Sequence, residues 1–311
     1  TDPAVRSKFT LANILQPQSD PEGCVFLAGL EILNPEGKKR IFEQPSDAAY
    51  QFDKFGSLII KNCKISSIVQ HVCHFANKAA TLDTFVLENC DYLITGTDAN
   101  AFVVNTNKMA STINNIIIKN NVFHNIKKGS SLTDFKFVNA PSASIVNVTA
   151  VQNTLSSAVT KSSGYINAAS MSGVANVYDN IYVESHAPKT QTYILNAPVY
   201  ASTFACTVQN NFFYVTNAEK ALQAGNNLPE TVDGVIMYGR PRPLTMNPLD
   251  DDNWNPAEGR FGYKANLQFY KELNKTEIEG DVPANCGAQR GTAEAANYAA
   301  RGYSSVNLGN Y

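Results

Sequence analysis

"NNIIIKNNVFHNI" (residues 114–126) runs from β-branched residues into a pair of asparagines and then into a second apolar stretch. Asparagine favours turns over strand interiors, so the segment reads as strand, corner, strand. The same ending recurs along the chain. "LEILN" closes at Asn34, "LIIKN" at Asn62, "FVLEN" at Asn89, "IIIKN" at Asn120, "TAVQN" at Asn153, "NVYDN" at Asn180 and "CTVQN" at Asn210. Successive gaps are 28, 27, 31, 33, 27 and 30 residues. Seven such endings in series at nearly constant spacing mark a structural repeat.

The positions before each asparagine alternate. Two residues before stand Ile32, Ile60, Leu87, Ile118, Val151, Tyr178 and Val208; immediately before stand Leu33, Lys61, Glu88, Lys119, Gln152, Asp179 and Gln209. A strand period of two therefore turns the asparagines and the apolar set inward and the polar set outward. The fit is poorest at Asn153 and Asn180, where the residue four before is Thr149 or Asn176. A buried amide without partners costs about 1–3 kcal/mol. Stacked on amides one winding above and below it finds them, and asparagine also tolerates a left-handed corner. The repeat predicts a right-handed parallel β-helix of about seven or eight coils, with Asn34, Asn62, Asn89, Asn120, Asn153, Asn180 and Asn210 as its ladder. "HVCHFAN" (71–77), "AFVVN" (101–105), "DFKFVNA" (134–140), "GYINAAS" (164–170) and "TYILNA" (192–197) supply the remaining walls. A leucine-rich repeat would show a Leu-rich consensus, and a propeller would need a longer period.

Composition bounds the class. Hydrophobic residues make up 44% and charged residues 17% of the 311, and the net charge is −2. The chain is all-β in character, with a surface that relies on uncharged polar side chains. It has no basic face to attract nucleic acid and no apolar run long enough to span a bilayer. The opening "TDPAVRSKF" is polar and shows no signal-peptide pattern, as expected also of a mature or trimmed form. Cys24, Cys63, Cys73, Cys90, Cys206 and Cys286 lack zinc spacing. Cys63 and Cys90 follow their ladder asparagines directly and read as neighbouring corner thiols, with a disulfide between them as the alternative. Cys73 and His74 are adjacent, but neighbours on a strand face opposite ways, which argues against a nucleophile–base pair.

After "FFYVTN" the period stops. Residues 1–217 are assigned to the coils with an N-terminal cap, and residues 218–311 to a cap and tail of the same domain, since a solenoid must close its open edge. "KANLQFYKELNK" (264–275) and "TAEAANYAAR" (292–301) read as short helices in that tail.

"IIIKNNVFHNI", "VQNNFFYV", "GLEILNPEG" and the closing "NPLDDDNWNPAEGRFGY" resemble pectate-lyase-like β-helix proteins, closest to secreted Bacteroidetes members of unassigned activity. The resemblance spans roughly residues 25–265 and implies a secreted, periplasmic or outer-surface protein that recognises polysaccharide. The family's hydrolases carry paired aspartates and a Gly-His-Gly, and its lyases an Arg-x-Pro-x-x-Arg; neither motif is present, and "GRPRP" (239–243) lacks the lyase spacing.

Candidate carbohydrate-binding residues are the outward Lys61, Glu88 and Lys119, which stacking places in a row, together with Arg240, Arg242 and Trp254. Each has a plainer reading: cross-strand charge pairing for the row, pairing with tail acids for the arginines, and anchoring of the tail for Trp254. The competing function is a polysaccharide lyase or glycoside hydrolase acting on a uronate-rich glycan, with calcium as its cofactor if a lyase and Asp250–Asp252 as a source of oxygen ligands. A solvated turn is the plainer reading of those aspartates. A third function is an adhesin or scaffold with a protein partner.

Overall fold

The computed structural model describes residues 7–10, 15–33, 40–44, 51–66, 71–75, 78–94, 100–106, 110–125, 134–157, 166–184, 193–196, 205–215, 228–232, 235–239, 241–244, 247–255, 260–263 and 286–288. Within them the chain is a parallel β-solenoid whose strands stack into three walls. The first wall is built from Ser7–Thr10, Leu30–Leu33, Lys64–Ser66, Asp91–Ile94, Val122–Asn125, Thr154–Ser157, Ile181–Glu184, Phe212–Val215 and Arg242–Pro243. The second begins with Asp20–Ala28 and continues through Lys54–Lys61, Thr81–Glu88, Thr112–Lys119, residues 144–151, Val174–Tyr178 and Ala205–Gln209. The third stacks Arg40–Glu43, His71–His74, Asn100–Asn105, residues 134–140, Ile166–Met171 and Leu195–Asn196.

All three walls are present in six coils, beginning at Arg40, His71, Asn100, Asp134, Ile166 and Leu195. That is fewer than the seven or eight expected, because the winding is incomplete at both ends. At the far end the third wall switches to the antiparallel pair Pro229–Val232 and Val235–Tyr238. The proposed tail helices, 264–275 and 292–301, lie outside the described residues.

β-Branched and aromatic runs form the strands because they fit a pleated, half-buried surface. Their inward side chains stack in rows up the coil. In the first wall one row is Ile32, Ile65, Tyr92, Phe123, Leu155, Tyr182 and Phe213, in register from coil to coil and fully buried. Phe123 packs on Phe135 and Phe137 of the third wall, with ring centroids 5.2 Å apart in each case. On the opposite face of the first wall, Ile181, Val183 and Phe212 form a smaller core with Leu244, Leu249 and Cys286.

The corner between the second and first walls corrects the expected ladder. Residues in the left-handed region are Gly29, Asn62, Asn89, Asn120, Gln152, Asp179 and Asn210, with φ between 52° and 66°. Asn153 and Asn180 therefore do not belong to the column of Asn62, Asn89, Asn120 and Asn210. They stand one residue later, in a second column with Cys63, Cys90, Asn121 and Asn211. Register agrees, running Lys61, Glu88, Lys119, Val151, Tyr178 and Gln209. The poor fit at the fifth and sixth repeats came from that slip: their inward residues are Val148 and Ala150, then Ala175 and Val177, all fully buried. Asn34 lies outside the described residues.

The second column is the continuous amide ladder. The Nδ2 groups of Asn121, Asn153 and Asn180 donate to the Oδ1 of the asparagine one coil above at 3.1, 3.0 and 2.9 Å. Each Nδ2 also donates to a second-wall carbonyl one coil below, on Leu87, Ile118 and Ala150. Each Oδ1 also accepts a backbone N–H: Cys90 to Asn121, Asn121 to Asn153 and Asn153 to Asn180, at 2.9–3.0 Å. In the early coils thiols take the same slot. Cys63 and Cys90 are buried and unbridged, and their Sγ atoms donate to the carbonyls of Lys61 and Glu88 at 3.2 Å.

Candidate functional site

The structure brings together only part of the expected carbohydrate-binding set. Lys61, Glu88 and Lys119 occupy adjacent rungs at the end of the second wall. Lys61 Nζ lies 2.6 Å from Glu88 Oε2, with both side chains mostly buried, so the pair serves itself, as cross-strand opposite charges do. The row then continues through Val151 and Tyr178; Gln152 and Asp179 turn at the corner instead. The backbone of Arg242 pairs in register with Phe212 at the far end of the first wall. Trp254 sits opposite Phe261 in a separate hairpin made by Leu249–Asn255 and Arg260–Tyr263. Arg240 and the side chains of Arg242, Trp254 and Asp250–Asp252 lie outside the described residues. Among the described residues no three His, Cys, Asp or Glu side chains converge as a metal site would require.

A polar rack on the third wall brings several titratable groups together. Arg40 donates to Glu43, and His74 Nδ1 lies 3.3 Å from the same carboxylate. His71 stacks flat on Phe102, with centroids 5.3 Å apart, and Lys136 Nζ lies over the Phe102 ring at 4.9 Å. Asn139 donates to Asn105 Oδ1 at 2.9 Å, which leaves Asn105 Nδ2 facing His71 Nε2 at 3.0 Å. The Asn105 amide and the His71 imidazole therefore pair at hydrogen-bond distance. Asn167 continues the row by donating to Asn139 at 3.5 Å. These contacts place the rack's side chains on one face, while Ile41, Phe42, Val72, Cys73, Val103 and Val104 pack in the core.

The rack does not work as an exposed acid–base centre. His71, His74, Asn105 and Lys136 are buried, and burial lowers the Arg40 pKa. Glycoside hydrolysis uses two carboxyl groups across the scissile bond, and the rack contains one. Cys73 is fully buried, and desolvation pushes its thiol pKa well up, so it is no partner for His74. The rack is a second amide ladder, with imidazoles and an ion pair continuing it at its lower end.

A groove of about 640 Å³ opens where the third wall turns into the second. Four successive coils line it with Asp53, then Ala79–Thr81, Ala110–Thr112 and Pro141–Ser144. Lys54, Thr81, Thr112 and Ser144 are in register, so Asp53, Ala80, Ser111 and Ala143 mark one corner climbing the coil. Backbone bonds hold that corner: Thr81 N to Asp53 O at 2.8 Å, Thr112 N to Ala80 O at 2.9 Å and Ser144 N to Ser111 O at 2.7 Å. Ala80, Ser111 and Ala143 are buried in the floor, whereas Ala79, Ala110, Pro141 and Ser142 are exposed on one rim. Half-buried Thr81, Thr112 and Ser144 form the other. Three rung spacings make the groove about 14 Å long, parallel to the solenoid axis. At its lower end Asp53 pairs with Lys78.

None of these groove residues was singled out from sequence. The signal was present as "AAT" (79–81), "AST" (110–112) and "SAS" (142–144), small and hydroxyl residues recurring at the coil period. The chain matches no family model, no curated protein and no solved structure.

Proposed function

We propose that this solenoid recognises polysaccharide and holds it along its axis without cleaving it. The observation that carries the reading is the groove across four coils, whose repeated hydroxyls and methyls follow the stacking of the protein itself. A linear glycan also repeats along its length. Its hydroxyls can exchange hydrogen bonds with Thr81, Ser111, Thr112, Ser142 and Ser144, and its C–H faces can lie on Ala79, Ala110 and Pro141. Recognition is favoured over hydrolysis because, among the described residues, the groove's one carboxylate, Asp53, is already paired with Lys78, whereas hydrolysis uses two. The resemblance to pectate-lyase-like proteins and a secreted, periplasmic or outer-surface location belong to the same proposal; the low charge and Asn-rich coils support them.

Affinity electrophoresis through gels containing neutral and acidic glycans tests the reading. Retardation by at least one glycan, with no new reducing ends and no ultraviolet-absorbing unsaturated product, is the expected result. Turnover of any glycan overturns the non-catalytic part, and free migration through every gel overturns recognition.

A further inference from the structure

The groove's regularity narrows the ligand class. Lys54, Thr81, Thr112 and Ser144 stand in register on one rim, and the corner bonds of 2.8, 2.9 and 2.7 Å hold each rung on the one below. Lys54 is exposed, and Asp53 next to it pairs with Lys78, so the lower end carries charge of both signs. The three rungs above Lys54 each present a half-buried hydroxyl residue, at a spacing of about 4.8 Å. In the floor, Ser111 Oγ accepts from the backbone N–H of Ala80 at 3.3 Å, which ties two of those rungs together again. Ala79, Ala110 and Pro141 give the opposite rim apolar groups at the same coil period.

Resting on the reading that this groove binds polysaccharide, we infer that it selects by pitch: it takes extended, ribbon-like chains with diequatorial linkages and rejects wound ones. A diequatorially linked chain advances by close to one rung spacing for each sugar, so successive sugars meet successive rim hydroxyls. Alternate sugars turn opposite edges to the rim. Both edges carry hydroxyls, and a hydroxyl bonds as donor or acceptor, so every rung stays matched. A wound chain rises less per sugar and carries its hydroxyls around its axis, away from a row. It meets part of the rim at a time. The rungs do not shift to follow it, because the coil's own backbone bonds hold them; such preorganisation rewards the chain that already fits. Each hydrogen bond a wound chain forgoes is about a two- to tenfold loss of affinity.

The test holds charge and composition constant. Gels carry mixed-linkage β-glucan, largely ribbon-like, or laminarin or amylose, which are wound; all three are uncharged polymers of glucose. Xylan and mannan extend the ribbon-like set, and polygalacturonate and alginate supply acidic chains. The full chain is expected to bind at least one of β-glucan, xylan and mannan about fivefold or more tighter than either wound glycan. Ala110→Leu fills the centre of the trough and should remove most of that retardation. Thr112→Val deletes the central rim hydroxyl at nearly constant shape and should weaken it about two- to tenfold. Thr207→Val, the same change at an exposed position on another coil, is the control and should leave it intact. A smaller preference over the wound glycans, or retardation by acidic gels alone, overturns the inference and leaves polysaccharide recognition standing. Loss with Ala110→Leu but not with Thr112→Val keeps the groove and overturns the hydroxyl rim as the reader of pitch. Retardation unaffected by Ala110→Leu overturns the assignment to this groove, and retardation by no glycan overturns both.

Discussion

Replacing Asn153 by alanine tests the inward ladder at its centre. Asn153 is fully buried. Its Oδ1 accepts from the backbone N–H of Asn121 at 3.0 Å and from Asn121 Nδ2 at 3.1 Å, and its Nδ2 donates to Ile118 O at 2.9 Å and Asn180 Oδ1 at 3.0 Å. Asn180 Oδ1 keeps the backbone N–H of residue 153, at 2.9 Å, after the change. Asn121 Nδ2 keeps Leu87 O, at 2.9 Å. The Asn121 backbone N–H loses its acceptor in the dry interior, and that orphaned donor dominates the cost at about 2 kcal/mol. The small void adds less than about 1 kcal/mol, for a total of roughly 3 kcal/mol. Guanidinium denaturation followed by circular dichroism reads this as a lower midpoint at unchanged slope. Asn176→Ala, on the outward side of the neighbouring strand, is the control and should stay within about 0.5 kcal/mol of wild type. Equal effects of the two substitutions would refute the reasoning, because they would mean that the stacked amides contribute no more than surface asparagines.

The thiols in the ladder slot give a second prediction. Cys63 N lies 3.5 Å from Cys90 Sγ, a weak bond, so Cys90→Asn should stabilise by about 0.5–1 kcal/mol and Cys90→Ala should not; a loss of stability with Asn would show that the slot cannot hold an amide there. His124 gives a third. Burial lowers its pKa to about 4, against a smaller raising effect of its bond to the Ser156 backbone. The unfolded value is about 6.5, so the fold favours neutral imidazole. Its contribution is full above about pH 6.5 and is lost as pH falls toward 4, by up to about 3 kcal/mol. Stability of wild type minus that of His124→Gln should therefore decline over that window, and a flat difference would contradict the burial argument. Thiol labelling gives a fourth: exposed Cys24 should react in the native protein, while buried Cys63, Cys73, Cys90 and Cys286 should react only on unfolding.

The repeat was legible because each coil returns to a corner that requires a left-handed residue, and asparagine is the cheapest side chain there. Which asparagine turns the corner was not legible from single residues. The corner is a pair: Asn62-Cys63, Asn89-Cys90, Asn120-Asn121, Gln152-Asn153, Asp179-Asn180 and Asn210-Asn211. Its first member sets the backbone and its second fills the core slot. Alignment on asparagine alone follows the first member in some coils and the second in others. Asn105, Asn139, Asn167 and Asn196 recur in register on the third wall and stood within the quoted wall segments, but they belong to that wall rather than to the corner being tracked. Lys61, Glu88 and Lys119 were correctly placed in a row. What sequence could not show was that the Lys61–Glu88 distance lets the pair close on itself. The groove escaped notice because alanine and serine carry no chemistry singly; their meaning appears only when four coils stack them into one trough.

The most direct measurement of the central claim is a crystal structure of the protein with a bound linear oligosaccharide. The account predicts a sugar chain lying parallel to the solenoid axis in the trough, with its hydroxyls on Thr81, Thr112 and Ser144. A chain seated over Lys61, Glu88 and Lys119, or crossing the coils anywhere else, would contradict it.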